Sequence, residues 1–201
     1  EAASGVGGYE HIHSDSSQTH IGFAYRTIPY GHPDYFRMRA GIGILSDGMS
    51  SRLFDRVREQ QGLCYTVTAS CHSLKQDAGV FGYAGTTPER AQQTLDVTLH
   101  EISHLVDDLN EAELRRWQTR IQSLLIMEQE SSASRASSLA SDYYQLGHPI
   151  STEELESAIE ALTLDQVREY WKAHPPGDYR IVTLGPDRLS NPQDSHTSSV
   201  N

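Results

Sequence analysis

Hydrophobic and polar positions follow strand-like patterns in the first half of this chain and helical ones in the second. Tyr9 to His13 and Thr19 to Arg26 read as strands separated by the polar turn Ser14-Asp15-Ser16-Ser17. His32-Pro33-Asp34 opens a helix running to about Leu45, with proline in the first turn, where its missing N–H costs nothing. Ile44 to Ser70 then predicts a glycine-punctuated loop, a short helix capped by Ser50 and stopped by Gly62 in the left-handed conformation, and a strand of Leu, Tyr, Val and Thr. Gly79 to Thr86 is the expected hairpin partner of that strand across Ser73 to Asp77.

Helices dominate afterwards. Thr87-Pro88 reads as a cap followed by proline at the first helical position, and Asn110 with Glu113, Ser151 with Glu154, and Thr163 with Gln166 have capping-box spacing. The expected helices cover about 88–107, 111–131, 133–146, 152–161 and 164–173, with Gly147 and Pro149 ending the third. Asp178 to Leu184 is the last expected strand. Strands first and helices later indicate an α+β domain over residues 9–186. Residues 1–8, small and glycine-rich, read as the end of a linker, and residues 187–201, Ser-, Asn- and Asp-rich without periodicity, as a flexible tail.

Composition narrows the function classes. At 201 residues the chain suits one domain or two small ones, long enough to bury about two thirds of its unfolded surface without a disulfide or metal staple. A net charge of −11 argues against a phosphate-binding surface, so nucleic acid is not an expected partner. Cys64 and Cys71 would stand about 23 Å apart on an extended strand, too far for a disulfide, and read as free thiols compatible with a cytoplasmic or an exported protein. No apolar run of about 18 residues is present, and the first residue is Glu, which suggests a fragment or processed form.

Several residue types carry candidate chemistry. Arg58 sits near the end of the short helix, where its charge suits the helix dipole, and Tyr65 follows seven residues later. The reversal at Gly62 allows both to reach one side of the turn. Arg52, a cation in a first helical turn, calls for a fixed acidic partner. His11 and His13 share a strand face but form only a lone H-x-H.

His100-Glu101-Ile102-Ser103-His104 is H-E-x-x-H, the spacing that puts two zinc ligands one turn apart with a glutamate as general base. At about 100° per residue, however, Leu95, Leu99, Ile102 and Val106 share a face from which both imidazoles point away. Leu105 to Leu109 supplies no third ligand, and Glu128 falls on a different expected helix. A solvent-facing pair that picks up adventitious metal is the simpler reading, and a functional zinc site the other.

The run D-G-M-S-S-R-L-F-x-x-x-R-E-x-x-G-L-x-Y, from Asp47 to Tyr65, resembles the second-half, non-zinc domain of the pitrilysin, insulinase and mitochondrial processing peptidase family of zinc metallopeptidases. The similarity extends through Q-T-H-I-G-F-A-Y, H-P-D-Y, D-A-G-V-F-G-Y-A-G-T-T-P-E, N-E-A-E-L, E-S-S-A-S-R-A and the closing V-T-L-G-P, from Gln18 to Pro186. Ser46 and Asp47 stand where that family usually has glycines, and Cys64 where it usually has a small residue. The resemblance implies an α+β processing-peptidase-like (metallohydrolase-like) domain: an antiparallel or mixed sheet with helices packed on one face.

It also implies a division of labour. The family's metal motif is the inverted H-x-x-E-H of its other half, and no histidine of this chain begins one. Zinc is therefore expected in a partner half only, with none bound by this chain; that half belongs to the same polypeptide or to a separate subunit, and a dimer is one form of the assembly. In the family, an arginine and a tyrosine separated by six residues reach across an enclosed chamber toward that zinc site. Carried over by position, these are Arg58 and Tyr65, the expected catalytic and substrate-binding residues toward a peptide.

A neutral phenol stays a hydrogen-bond donor at pH 7 and suits the negative charge that develops on a peptide carbonyl oxygen during hydrolysis. A fork-shaped, permanently charged guanidinium suits a neighbouring backbone carbonyl. The alternatives are a non-catalytic assembly subunit resembling the core subunits of respiratory complexes, and an autonomous H-E-x-x-H protease. If neither chemistry applies, Arg58 makes a surface ion pair, for instance with Glu59, and Tyr65 is an ordinary strand aromatic.

Overall fold

The computed structural model describes residues 7–191, so the linker expected over residues 1–6 and the tail expected over 192–201 lie outside the described residues. Five strands, β1 (Gly8–His13), β2 (Thr19–Thr27), β3 (Thr66–Ser73), β4 (Ala78–Thr86) and β5 (Arg180–Gly185), form one mixed sheet in the order β1-β5-β2-β4-β3. Only β1 and β5 are parallel. Between strands lie α1 (Tyr35–Ser46), a π-helix (Leu53–Gln60), a 3₁₀ turn (Pro88–Arg90), α2 (Ala91–Ser103), α3 (Glu111–Gln129), α4 (Ser132–Leu146), α5 (Thr152–Glu160) and α6 (Leu164–Ala173). The α+β layering expected from the sequence is present.

Alternation decides the faces of the sheet. Ile21, Phe23 and Tyr25 of β2, Val67 and Ala69 of β3, Val80 and Ala84 of β4, and Ile181 and Thr183 of β5 are buried under the helices. Their neighbours in sequence, among them His20, Arg26, Thr68, Phe81 and Tyr83, lie on the opposite face, which no described helix covers.

The central helix is α1, apolar on nearly every side: Met38, Ala40, Ile42, Ile44 and Leu45 are all buried. It lies between β3 and an outer layer of α3 and α6. Two glycines make this sandwich close, because a Cβ at Gly41 would stand 2.2 Å from the Trp171 indole and one at Gly43 would stand 1.9 Å from Trp117 Nε1. Gly43→Ala is therefore expected to destabilise the domain by about 1–3 kcal/mol through overpacking, outweighing the roughly 1 kcal/mol that alanine gains in helix propensity. A raised thermal midpoint in that variant would contradict this packing.

All three expected capping boxes form, at Asn110, Ser151 and Thr163, each with reciprocal bonds to the third helical residue. Gly147 ends α4 at φ +84°. Other boundaries differ from expectation. Ser50 does not cap the helix after it: that helix begins at Leu53 with Arg52 at the N-cap position and no side-chain cap, and the neighbouring Ser51 Oγ donates to the Gly48 carbonyl. The expected helix over 88–107 is a 3₁₀ turn plus α2, which stops at Ser103, and Thr87 makes no capping bond.

The chain after Pro186 does not leave the domain at once. Leu189 is buried, its N–H donates to Tyr9 Oη (2.9 Å), and the Ser190 N–H donates to Gln92 Oε1 (2.7 Å), so the tail expected from Asp187 is docked at least through Ser190. Gly8, expected at the end of a linker, is the first residue of β1. The free edge of the sheet at β3 is partly engaged: Ser46 Oγ accepts the Ala69 N–H (2.7 Å) and Gln145 Nε2 donates to the Ser73 carbonyl (3.0 Å).

Candidate functional site

The turn that carries Arg58 and Tyr65 is built by an unusual helix. Leu53 to Gln60 winds as a π-helix, whose wider turn aligns residues four apart. Leu53 and Val57 thereby face the core, Arg52 and Arg56 share an acidic cluster, and the Arg58 guanidinium lies 4.6 Å over the Phe54 ring. The helix ends at Gly62, φ +59°, where the Gly62 N–H donates to the Arg58 carbonyl (3.0 Å) and the Leu63 N–H to the Val57 carbonyl (3.1 Å). Each bond spans one residue more than in the usual glycine-terminated α-helix, as π winding requires.

Tyr65 leaves this turn through a bulge. Its N–H donates to the Gly85 carbonyl (2.8 Å), yet the Cα partner of Gly85 in the β3–β4 ladder is Thr66, so two residues of one strand oppose one of the other. Alternation breaks there: Val67 is buried, but Tyr65 and Thr66 are both exposed, Tyr65 to 59%. The phenol hydroxyl has no hydrogen-bond partner among the described residues. Arg58 is exposed as well; its ionic contact is Glu59 at 3.5 Å, the surface pair foreseen as the bland alternative. Its charge reaches Cys64, the residue before Tyr65, where it opposes the burial that pushes that thiol's pKa up. Cys64 and Cys71 are both free, and Cys64 lies ahead of β3 rather than on it.

Arg52 has the fixed acidic partner that its position demanded, and more. It is 3% exposed, pairs with both carboxylate oxygens of Glu113 at 2.7 Å, and donates to Asp108 (2.5 Å) and to the Leu105 carbonyl (3.1 Å). Arg56 bridges Asp108 (2.6 Å) and Glu101 (2.9 Å). This network fixes the π-helix against α2 and α3. Ser46 and Asp47, where glycines were usual, are also engaged: Asp47 pairs with Arg39 at 2.8 Å and accepts the Trp117 indole N–H at 3.3 Å.

The H-E-x-x-H residues do not fit a zinc ion. Leu95, Leu99 and Ile102 are buried while His100 and His104 are exposed, as the helical wheel predicted. The imidazoles stack with centroids 4.0 Å apart, and His104 Nδ1 donates to the His100 carbonyl at 3.0 Å because α2 ends there. Glu101, the would-be base, is bound by Arg56. Among the described residues no three His, Cys, Asp or Glu side chains gather to hold a metal. His11 and His13 are likewise engaged separately, His11 with Thr183 Oγ1 (3.0 Å) and His13 with the Pro186 carbonyl (3.0 Å).

One pair escaped sequence reasoning. On the bare face His20 Nδ1 lies 2.6 Å from Tyr83 Oη, with the rings stacked 25° from parallel. The two are 63 positions apart, and only the β2–β4 register brings them together.

The comparisons with known proteins agree with this architecture. A protein of Rickettsia felis described as an uncharacterized zinc protease is 32% identical over 164 residues, which are 81% of this chain and 40% of that protein. A crystal structure of a peptidase M16 inactive domain from Pseudomonas fluorescens superposes with a TM-score of 0.78 at 23% identity, covering 92% of this chain and 45% of that one. A chain of complex III2 from Candida albicans has a TM-score of 0.76 at 21% identity, covering 90% and 46%; at these identities both structures attest the fold. The chain spans less than half the length of these relatives. The family model described as the peptidase M16 inactive domain matches residues 4–121, more than half of the sequence, and the chain therefore belongs to the zinc-protease family M16 as its non-catalytic, C-terminal type of domain.

Proposed function

We propose that this domain is the substrate-enclosing, non-zinc half of an M16 peptidase, with Tyr65 and Arg58 acting on a peptide held against the zinc of a separate half or subunit. The observation that carries the reading is the state of the two side chains. A bulge turns Tyr65 outward, and among the described residues its hydroxyl is unengaged and Arg58, one turn of chain away, is held by nothing firmer than Phe54 and its neighbour Glu59. Zinc in the other half would polarise the scissile carbonyl. Tyr65 donates to the carbonyl oxygen as negative charge develops there, and Arg58 holds an adjacent backbone carbonyl.

The test is reconstitution. This domain and its zinc-binding half are assayed for zinc content and peptide cleavage, separately and together. The expected result is zinc in the other half and cleavage at full rate only in the assembly. Cleavage by this domain alone would restore the H-E-x-x-H reading. Assembly without any gain in rate would leave an architectural subunit, the role that the same fold could serve in a respiratory complex.

A further inference from the structure

We infer that His20, oriented by Tyr83, is a further substrate contact of this domain, placed in the same transverse row of the sheet as the Tyr65 turn. The inference rests on the reading that this end of the domain meets a peptide. Gly85 of β4 is the common partner of His20 on β2 and of Thr66 on β3, so the three residues form one row across the sheet. Neighbouring strands lie about 4.8 Å apart, which puts the His20 and Thr66 Cα atoms about 10 Å from each other. Tyr65 precedes Thr66 and is tied by its own N–H to Gly85.

Glycine at position 85 is what lets the row close. A Cβ there would stand 3.0 Å from Tyr83 Oη and 3.6 Å from the Thr66 methyl, so the Tyr83 hydroxyl occupies the space above the strand that a side chain would fill. From that position it reaches His20 Nδ1 at 2.6 Å. The phenol is a stronger acid than a neutral imidazole N–H, so we assign the hydroxyl as the donor to Nδ1, which puts the imidazole proton on Nε2; Nε2 makes no hydrogen bond within the described residues. His20 is half-buried and Tyr83 is 38% exposed, on the face that no described helix covers. With that assignment the pair makes an oriented donor, an Nε2–H whose ring is held at Nδ1 and stacked on Tyr83. Its chemistry suits a backbone carbonyl of an extended peptide, a few residues from the bond that Tyr65 addresses.

The test uses the assembled peptidase, this domain together with its zinc-binding half, and a peptide substrate. His20→Ala is expected to raise KM roughly three- to tenfold with kcat preserved, as for removal of one ground-state hydrogen bond. His20→Gln, whose amide restores a donor near the Nε2 position, is expected to keep KM within about twofold of the parent. Tyr83→Phe, which removes only the orienting hydroxyl, is expected to fall between them. An unchanged KM in His20→Ala overturns the inference, and so does a KM in His20→Gln as high as in His20→Ala, because the effect would then be structural. Tyr65→Phe, measured alongside, separates this outcome from the wider reading. Loss of kcat there with unchanged KM in His20→Ala removes only the His20 contact, whereas intact kcat in Tyr65→Phe with a raised KM in His20→Ala removes the role of Tyr65 and leaves the peptide contact standing.

Discussion

Tyr65→Phe in the assembled peptidase is expected to lower kcat by about 10²–10³-fold, the usual effect of deleting one donor to a developing oxyanion in an enclosed site. The substitution removes a single hydroxyl that has no hydrogen-bond partner within the described residues of the domain and leaves the exposed ring in place. Thermal stability and zinc content should therefore not move, and KM should change little, because the lost interaction forms mainly in the transition state. Steady-state kinetics on one peptide, with a melting curve of each variant, makes the measurement. A kcat within threefold of the parent would remove Tyr65 from the chemistry.

Arg52→Met carries the largest expected effect on stability, about 3–5 kcal/mol, or a fall in thermal midpoint on the order of 10 °C. The reason lies less in the charge removed than in the one left behind. Glu113 is 9% exposed and is held by Arg52 and by the N-cap Asn110, so without the guanidinium a carboxylate remains in a poorly hydrated pocket. The double variant Arg52→Met/Glu113→Gln should recover part of the loss, and a purely additive pair would show that the two residues are not coupled.

The pH profile gives an independent check on the same network. Although partial burial acts against it, hydrogen bonds from Arg56 and the charges of Arg52 and Arg56 hold the Asp108 carboxyl below its ordinary value. A depressed acid contributes stability that is present above the unfolded value, about 4, and is lost as pH falls through the folded one. That acid limb should be shallower in Arg52→Met than in the parent protein.

Much of this architecture could be read before any coordinates. The capping boxes at Asn110, Ser151 and Thr163 are local signals, each completed within four residues, and all three form. The outward placement of the H-E-x-x-H imidazoles was legible in helical phase, since about 100° per residue separates them from the stripe through Leu95 and Ile102. What resisted was whatever depends on distant pairing. The π winding of Leu53 to Gln60 accompanies a buried arginine whose acids lie more than fifty positions away. The exposure of Tyr65 depends on a bulge against Gly85, where alternation within β3 would have turned it inward. The His20–Tyr83 contact depends on strand register, which no local pattern encodes.

The hydroxyl of Ser46 has a bearing on how any peptide could be held. A guest strand laid beside β3 would need the Ala69 amide to continue the ladder outward, and that amide already belongs to Ser46, while Gln145 occupies the Ser73 carbonyl farther along. At the β3 edge, those two positions thus resist being lengthened by a foreign chain, whether a peptide or a second molecule prone to clump. On the proposed reading, a peptide would be held by protruding functional groups, which release a product more readily than a zipped main chain would.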